Sequence, residues 1–279
     1  ARPDLKLVVM SATLDAGPLS EWLGAAPVIR ASGRTFDVDI THRPAGSWDE
    51  IAGVIRHELP PRGHTLVFLP GMGAIRGVQE RLEGVDADLH ALHGSLSGAA
   101  QDRALAPSQR RKVVLSTNLA ETSVTFEGVR LVVDSGLVRQ TRFDAGLGME
   151  RLETQRISQA SATQRAGRAG RTEAGRCVRL WAASERLRPF DVPAIQRSDL
   201  AGLLVQVRAW GSSPDWFEAP PAAALARAEQ LLEVLDVPAS ELAAFPLHPR
   251  LAAVLIAAHS AGCLRDAATA VALTSEKDP

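Results

Sequence analysis

The 279-residue sequence has only two cysteines, Cys177 and Cys263, which are too few and too far apart for a disulfide framework or a cysteine-rich metal cluster. No stretch approaches about 18 consecutive apolar residues, and the first residues lack the charged-then-apolar pattern of a signal peptide. These absences argue against a disulfide-stapled scaffold and against a membrane partner. They predict a protein of the reducing cytoplasm.

An excess of either charge is also missing. The 31 basic and 32 acidic residues give a formal net charge of −1, so no overall field draws the chain toward nucleic acid. Only three of the basic residues are lysines, and this arginine-rich composition is a bias of the whole sequence. The abundance of arginine is therefore weak evidence of function, whereas the placement of individual arginines is informative.

One arginine-rich segment reads QRAGRAGR from Gln164 to Arg171. On an α-helix, Gln164, Arg168 and Arg171 would share one face, from which Arg165 is rotated away. Each helical glycine costs about 1 kcal/mol relative to alanine, which suggests that a ligand or backbone approaches closely. Planar guanidinium groups suit phosphate oxygens. The structural alternative is a solvated helix start with a capping box between Ser161 and Gln164.

Short apolar segments alternate with helical patterns over much of the chain. Ile75, Val78 and Leu82 have the spacing of an amphipathic helix that ends at Gly84. The alternation predicts an α/β fold in which helices cover both faces of a parallel sheet. The predicted strands are residues 5–10, 65–69, 89–92, 112–116, 130–133 and 176–181.

The alternating pattern breaks at residues 137–154, where two polar strand-like arms flank residues 144–148 and predict a hairpin. After Trp181 the sequence becomes helical. One apolar face follows a cap at Ser198 and Asp199 and ends at Gly211. Two further apolar faces predict helices over residues 225–235 and 251–258.

Four segments together resemble the motifs of the DEAH/RHA-type helicases of superfamily 2, and they follow the order of that family. SAT at 11–13 resembles motif III, LVFLPG at 66–71 motif IV, STNLAETSVT at 116–125 motif V and QRAGRAGR at 164–171 motif VI. Within the family, the LPG form of motif IV and the closing LTSEKDP are most similar to the bacterial HrpB-type group.

The resemblance implies four regions. Residues 1–33 would end a first RecA-like domain, 34–182 would form the second RecA-like domain, 183–247 a mainly helical winged-helix-like region, and 248–279 the start of a helical ratchet domain. Residues 238–245 are shorter than the corresponding segment of the family, so the wing is expected to be shortened or missing. Because the sequence begins inside a predicted strand, it is expected to be a piece of a longer protein.

The resemblance also implies an ATP site. Gln164 would position the attacking water, and Arg168 and Arg171 would stabilise the transferred phosphoryl group as arginine fingers. Phe68 of motif IV would stack on adenine, although packing in the core is the alternative for a phenylalanine within a strand. The nucleotide side would include Ser123 and Thr125 of motif V and the nearby Glu127, which stands where many relatives have aspartate.

Nucleic-acid contacts are implied at Gly71, Thr117 and Asn118. At these positions strands run into turns, whose backbone amides and short hydroxyls can contact phosphate without reading sequence. Ser11 and Thr13 of motif III would couple the nucleotide state to strand separation. Single-stranded RNA is the expected partner and DNA the alternative, because a grip on the backbone discriminates between them only through the 2′-hydroxyl.

A phosphate-binding P-loop and an Asp-Glu-x-His box are both missing from these residues. His90 and His93 lack carboxylate or cysteine partners at ligand spacing, so no metal site is predicted within the sequence. ATP and Mg²⁺ would therefore require a first RecA-like domain as partner, and the isolated chain is expected not to hydrolyse ATP. The competing hypothesis is a non-catalytic module that binds RNA or a protein partner.

Overall fold

The chain folds into two compact units. The computed structural model describes residues 4–10, 16–30, 36–122, 126–144 and 146–275. The first unit comprises the described residues up to 140 together with 152–191, and the second comprises 141–151 and the residues from 192 onward. The four-region division inferred from the sequence is finer and stays a prediction. Within the described ranges, no helix has both the length and the apolarity needed to cross a bilayer.

A six-stranded parallel sheet organises the first unit and confirms the predicted α/β class. Its strand order is β1-β8-β5-β2-β4-β3, and strands β6 and β7 pair separately as the predicted hairpin. The strands are β1 Val38–His42, β2 His64–Phe68, β3 Asp88–Leu92, β4 Lys112–Ser116, β5 Val129–Asp134, β6 Leu137–Asp144, β7 Met149–Arg156 and β8 Gly175–Arg179. The edge strand β1 was not predicted.

Helices cover both faces of the sheet, because its central strands are apolar on both sides. Val67 of β2 packs into one core cluster, whereas its neighbours Leu66 and Phe68 pack into the other. The first cluster lies against α2 Trp48–Glu58 and α3 Met72–Arg81. The second lies against α4 Gly98–Leu105, α5 Leu119–Thr122 and α6 Gln159–Gly167, while α1 Ala16–Trp22 precedes the sheet in sequence.

The predicted amphipathic helix is confirmed as α3. Ile75, Val78 and Leu82 are fully buried, and the chain leaves the helix through Gly84, which has a φ of 78°. The preceding helix α2 begins with a capping box in which the Ser47 hydroxyl accepts from the Glu50 amide. Together these helices cover the face of the sheet to which Val67 points.

The prediction of a buried strand at residues 5–10 is wrong for this chain. Residues 5–10 form no strand, and Leu7, Val8 and Met10 are between 72% and 87% exposed. Their apolar character predicted a strand, but a buried strand needs hydrogen-bonded neighbours, and the six-stranded sheet does not include them. Ser11 and Thr13 lie outside the described residues.

The second unit is helical from residue 192 onward and contains no strand between residues 192 and 275. Its apolar core includes Leu204, Ala228 and Leu242. Gly211 has a φ of 82° and ends α8 as predicted, and Asp199 Oδ1 accepts from the Ala201 amide at 2.9 Å. The helices are α7 Ala194–Arg197, α8 Ala201–Trp210, α9 Ala222–Leu235, α10 Ala239–Leu242, α11 Pro249–Ser260 and α12 Leu264–Ser275.

Candidate functional site

The carboxyl ends of four parallel strands form one edge of the sheet. Phe68 of β2 pairs with Ser116 of β4 on one side and with Asp134 of β5 on the other, and Asp134 in turn pairs with Arg179 of β8. In parallel sheets, ligands bind beyond this edge because the loops that leave the strands meet there. The turns carrying the residues of motifs IV and V start from this edge.

The arginine segment is only partly α-helical. Helix α6 begins at an N-cap formed by Ser158, whose hydroxyl accepts from the Ser161 amide at 3.0 Å. The predicted capping box at Ser161 is therefore wrong, because the helix starts earlier. The α-helix ends at Gly167 and continues as a 3₁₀ turn from Arg168 to Gly170, whose tighter winding departs from the 3.6-residue period.

The common face predicted for the motif VI side chains is not preserved through this change of winding. Arg168 is 4% exposed, whereas Arg171 is exposed and Gln164 is partly buried. The three residues remain within one short segment of chain. The side chain of Arg171 is therefore accessible to solvent, whereas that of Arg168 is packed inside the protein.

Arg165 is the most deeply buried arginine of the segment, at 1% exposure. Its Nε donates to the Glu121 carboxylate at 2.9 Å and its Nη1 to Asp134 Oδ1 at 2.9 Å. Nη1 also donates to the Leu137 carbonyl at 3.2 Å. Burial disfavours its charge, but the two carboxylates outweigh that effect and raise the pKa of Arg165. The guanidinium is therefore a fixed, paired charge.

Arg168 is held by the main chain of the same glutamate. Its Nε donates to the Glu121 carbonyl at 2.9 Å, and its Nη2 donates to the same oxygen. Burial, with a further contribution from the charge of Arg171, lowers the pKa of Arg168 to about 10. The side chain remains a cation at neutral pH, and the carbonyl fixes the plane of its guanidinium.

The structure contradicts the predicted stacking of Phe68 on adenine. Phe68 is fully buried in the second core cluster. The guanidinium of Arg165 lies 4.8 Å from the centroid of its ring, a geometry typical of a cation–π contact. A base has no access to the ring, and the alternative, packing in the core, is the correct one.

The predicted nucleic-acid residues lie on the turns at the carboxyl edge. Thr117 is buried and Asn118 is exposed at the end of β4. Gly71 precedes α3, and a Cβ added there would lie 3.1 Å from Arg139 Cδ. The side chain of Arg139, on the hairpin, thus runs close to the main chain at Gly71. An exposed amide and a nearby arginine both suit a phosphate backbone.

Comparison with known proteins agrees with this geometry. The helicase conserved C-terminal domain family matches residues 50–173. The chain is 43% identical to the ATP-dependent RNA helicase HrpB of Escherichia coli over 99% of its own length and 37% of that protein. It is 34% identical to Escherichia coli HrpA, covering all of this chain and 24% of HrpA.

A crystal structure of the Escherichia coli DEAH/RHA helicase HrpB superposes on the chain with a TM-score of 0.91 at 42% identity, covering 99% of this chain and 38% of that one. The chain belongs to the DEAH/RHA-type helicase family. Its six-stranded sheet is therefore the RecA-like fold, as predicted. The chain spans less than two-fifths of the HrpB helicase that it matches.

The segments that correspond to helicase motifs IV, V and VI meet at the carboxyl edge of the sheet. The structure does not describe all the residues that the sequence assigned to the nucleotide side. Glu127 is exposed just beyond motif V. Its neighbours Ser123 and Thr125 lie outside the described residues. The assignments of Glu127, Ser123 and Thr125 to the nucleotide side therefore stay predictions, as do the roles of the motif VI side chains.

The two glycines of motif VI have different surroundings. A Cβ added at Gly170 would lie 2.5 Å from the Phe36 carbonyl oxygen, and the Phe36 amide donates to the Gly170 carbonyl at 2.9 Å. A Cβ added at Gly167 would meet no atom within 4 Å. The expected close approach of a neighbouring backbone thus occurs at Gly170, while the space beside Gly167 remains open to a ligand.

Sequence reasoning missed the pairing of Arg165 with Glu121 and Asp134. Two signals were present: Asp134 is the acidic residue that ends the apolar strand β5, and Arg165 is the motif VI arginine that leaves the predicted helix face. Neither signal identifies the partner, because Glu121 and Asp134 are 44 and 31 residues from Arg165.

Proposed function

We propose that the chain supplies one wall of the ATP site, and part of the RNA grip, of an ATP-dependent RNA helicase. The observation that carries the proposal is the junction at Glu121, where the motif VI arginines meet the turn of motif V. This junction brings a candidate phosphate-binding segment and a candidate RNA-binding segment to one edge of the sheet. Because the chain spans only part of the length of its helicase relatives, the proposed activity is that of a longer protein that contains this chain, called the parent below.

On the nucleotide side, Gln164 would orient the attacking water while Arg168 and Arg171 stabilise the charge of the transferred phosphoryl group. The exposure of Arg171 and the fixed plane of Arg168 support these roles, because donors that are oriented in advance need little reorganisation during reaction. Ser123, Thr125 and Glu127 would contact the ribose, the phosphates or metal-bound water.

ATP and Mg²⁺ also need residues that the described part of the chain does not group together. Within the described ranges, no three histidine, cysteine or acidic residues are placed to hold a metal ion. By the resemblance to helicases, a first RecA-like domain would hold Mg²⁺ and supply the phosphate cradle. When bound, the metal ion neutralises charge on the phosphates.

On the nucleic-acid side, Gly71, Thr117 and Asn118 would hold the RNA backbone. The exposure of Asn118 and the position of Arg139 beside Gly71 support this assignment. Contacts of this kind position a strand without reading its sequence. RNA is favoured over DNA because the HrpB and HrpA relatives are RNA helicases. Ser11 and Thr13 would link nucleotide state to strand separation.

The test is Arg168→Ala in the full-length parent. We expect RNA-stimulated ATPase turnover to fall about 10³-fold or more, the size of an arginine-finger contribution, with the Kd for single-stranded RNA nearly unchanged. Arg62→Ala is the matched control, because that arginine side chain is 79% exposed in the same unit. Unchanged turnover in Arg168→Ala contradicts the proposal.

The same assay distinguishes substrates and the competing function. Stimulation by RNA and by DNA of equal length is compared in the unmodified parent, and stronger stimulation by RNA is expected. A parent that binds RNA without any ATP turnover would instead be a non-catalytic binding module. In that case the sequence similarity to helicases would reflect fold and RNA binding alone.

A further inference from the structure

Glu121 occupies an unusual position among the residues of motif V. It lies in α5, a single helical turn that is separated from β4 by Thr117 and Asn118. The amide of Glu121 donates to the Asn118 carbonyl at 2.9 Å, and the amide of Ala120 donates to the Thr117 carbonyl at 3.2 Å. Glu121 is thus one hydrogen bond away from the turn that is proposed to hold RNA.

The carboxylate of Glu121 is anchored below the surface. Its side chain is 13% exposed and pairs with Arg165, which is held from its other side by Asp134 at the end of β5. A buried arginine that loses one carboxylate partner is left with uncompensated charge, so this pair resists separation. The carboxylate therefore fixes α5 against the sheet.

The carbonyl of Glu121 has a different partner. It accepts both the Nε–H and an Nη2–H of Arg168, the arginine proposed as a finger. One residue thus binds two motif VI arginines, Arg165 through its side chain and Arg168 through its main chain. Any displacement of α5 moves the acceptor to which the Arg168 guanidinium is bonded.

We propose that Glu121 is a positioning residue that joins the Thr117–Asn118 turn to Arg168. RNA held at Asn118 orders the α5 turn, and the Glu121 carbonyl then fixes the guanidinium of Arg168 in its active orientation. Arg165 does not act as a finger and serves as the anchor for the Glu121 carboxylate. This inference rests on the proposed ATPase function, to which it adds a route by which RNA raises turnover.

The test measures the ratio of RNA-stimulated to basal ATPase turnover in the full-length parent, with saturating RNA. Glu121→Gln keeps the size and an oxygen acceptor for Arg165 but removes the negative charge, so the Coulomb attraction of the ion pair that anchors α5 is lost. We expect the ratio to fall about 10-fold, within the usual range of coupling between two sites, and the Kd for RNA to stay unchanged. Glu83→Gln, an exposed carboxylate of the same unit, is the control.

A merely structural role gives a different result. If Glu121→Gln only lowers the fraction of folded protein, basal and stimulated turnover fall by the same factor and the ratio is kept, which overturns the inference. Unaltered rates overturn it as well. A weakened Kd whose effect disappears at saturating RNA would make Glu121 an RNA contact instead.

A second variant and the unsubstituted parent complete the experiment. If Glu121→Gln does not fold, Glu121→Asp is used, because it keeps the charge but withdraws the carboxylate by one methylene, and the same loss of ratio is expected. A parent that shows no RNA-stimulated turnover before any substitution refutes the proposed function itself. Normal stimulation in the parent and in both Glu121 variants refutes only the positioning role.

Discussion

The six-stranded sheet has a carboxyl edge, where its parallel strands end, and an amino edge, where they begin. The cations buried at these two edges have different kinds of hydrogen-bond partner. At the carboxyl edge, Arg165 is clamped between Asp134 and Glu121, and these charges raise its pKa even though burial opposes them. The same edge carries the turns of motifs IV and V. Here a buried charge is matched by opposite charges from two other segments of the chain.

The amino edge buries Lys112, at the start of β4, with neutral partners. Its Nζ donates to the carbonyls of Arg103, Ala104 and Ala106 at 3.1, 3.4 and 2.5 Å, and the side chain thereby caps the end of α4. Burial lowers the pKa of Lys112. A cation at a helix carboxyl end is favoured by the helix dipole, and the nearby charge of Asp88 also favours the ammonium form, although no carboxylate is among its hydrogen-bond partners given above.

The two edges therefore differ in how many segments of the chain each buried cation joins. At the amino edge a single lysine completes the hydrogen bonding of one helix within its own neighbourhood in sequence. At the carboxyl edge, Arg165 connects β5, α5 and the hairpin base through three separate partners. We therefore expect substitutions at the carboxyl edge to have the larger effects, both on stability and on turnover.

The largest expected loss of stability follows from Arg165→Ala in the 279-residue chain. Removing the guanidinium leaves Glu121 and Asp134 as unpaired carboxylates, and breaking a buried ion pair typically lowers the free energy of unfolding by about 3–5 kcal/mol. Urea unfolding of the variant and of the unsubstituted 279-residue chain measures this difference in the free energy of unfolding. Arg62→Ala, at an exposed pair 4.0 Å from Glu173, should change stability by about 0.5 kcal/mol or less.

A smaller loss is expected from Lys112→Met at the amino edge. Methionine keeps the apolar stem but withdraws the donors from three carbonyls, and an unsatisfied buried polar group typically destabilises by about 1–3 kcal/mol. The neutral side chain also avoids the desolvation of the ammonium group. Arg110→Met is the control, because that arginine is 62% exposed and two residues away. A loss equal to that of Arg165→Ala would remove the contrast between the edges.

The sheet and its covering helices could be predicted because their signals are local. Strands such as β2 and β4 are apolar on both faces and lie between turn residues, and α3 shows its buried face at helical spacing. Strand β1 was missed because it is an edge strand with a half-exposed, mixed sequence, Val38–His42. The strand at residues 5–10 was wrongly predicted because apolarity alone does not supply a neighbouring strand.

The site could be predicted only in part. The motif VI pattern singled out Arg168 and Arg171, whose roles stay predictions. Their common face assumed a continuous α-helix, and the 3₁₀ turn after Gly167 breaks that period. Phe68 was assigned to adenine although the partner that covers its ring, Arg165, lies almost a hundred residues later in the sequence. Contacts between such distant positions depend on the folded topology, which local patterns in a single sequence do not reveal.

The smallest expected effect concerns His64, which shares the amino edge with Lys112. His64 is 9% exposed. Its ring stacks on Phe126 with centroids 5.3 Å apart, and its Nδ1 accepts from the Lys112 amide at 3.2 Å. Burial, and then the charge of Lys112, lower the pKa of His64 below its ordinary value of 6.5. The folded protein therefore favours the neutral form of this histidine more than the unfolded chain does.

Because the unfolded chain binds a proton at His64 more readily than the folded chain does, the free energy of unfolding should fall as pH drops below about 6.5. His64→Gln keeps a possible acceptor for the Lys112 amide but cannot titrate, so its stability should decline less between about pH 8 and about pH 5. His90, whose pKa burial also lowers, would leave a residual slope in both proteins. Equal slopes in urea unfolding would show that the neutral state of His64 contributes nothing to the amino edge.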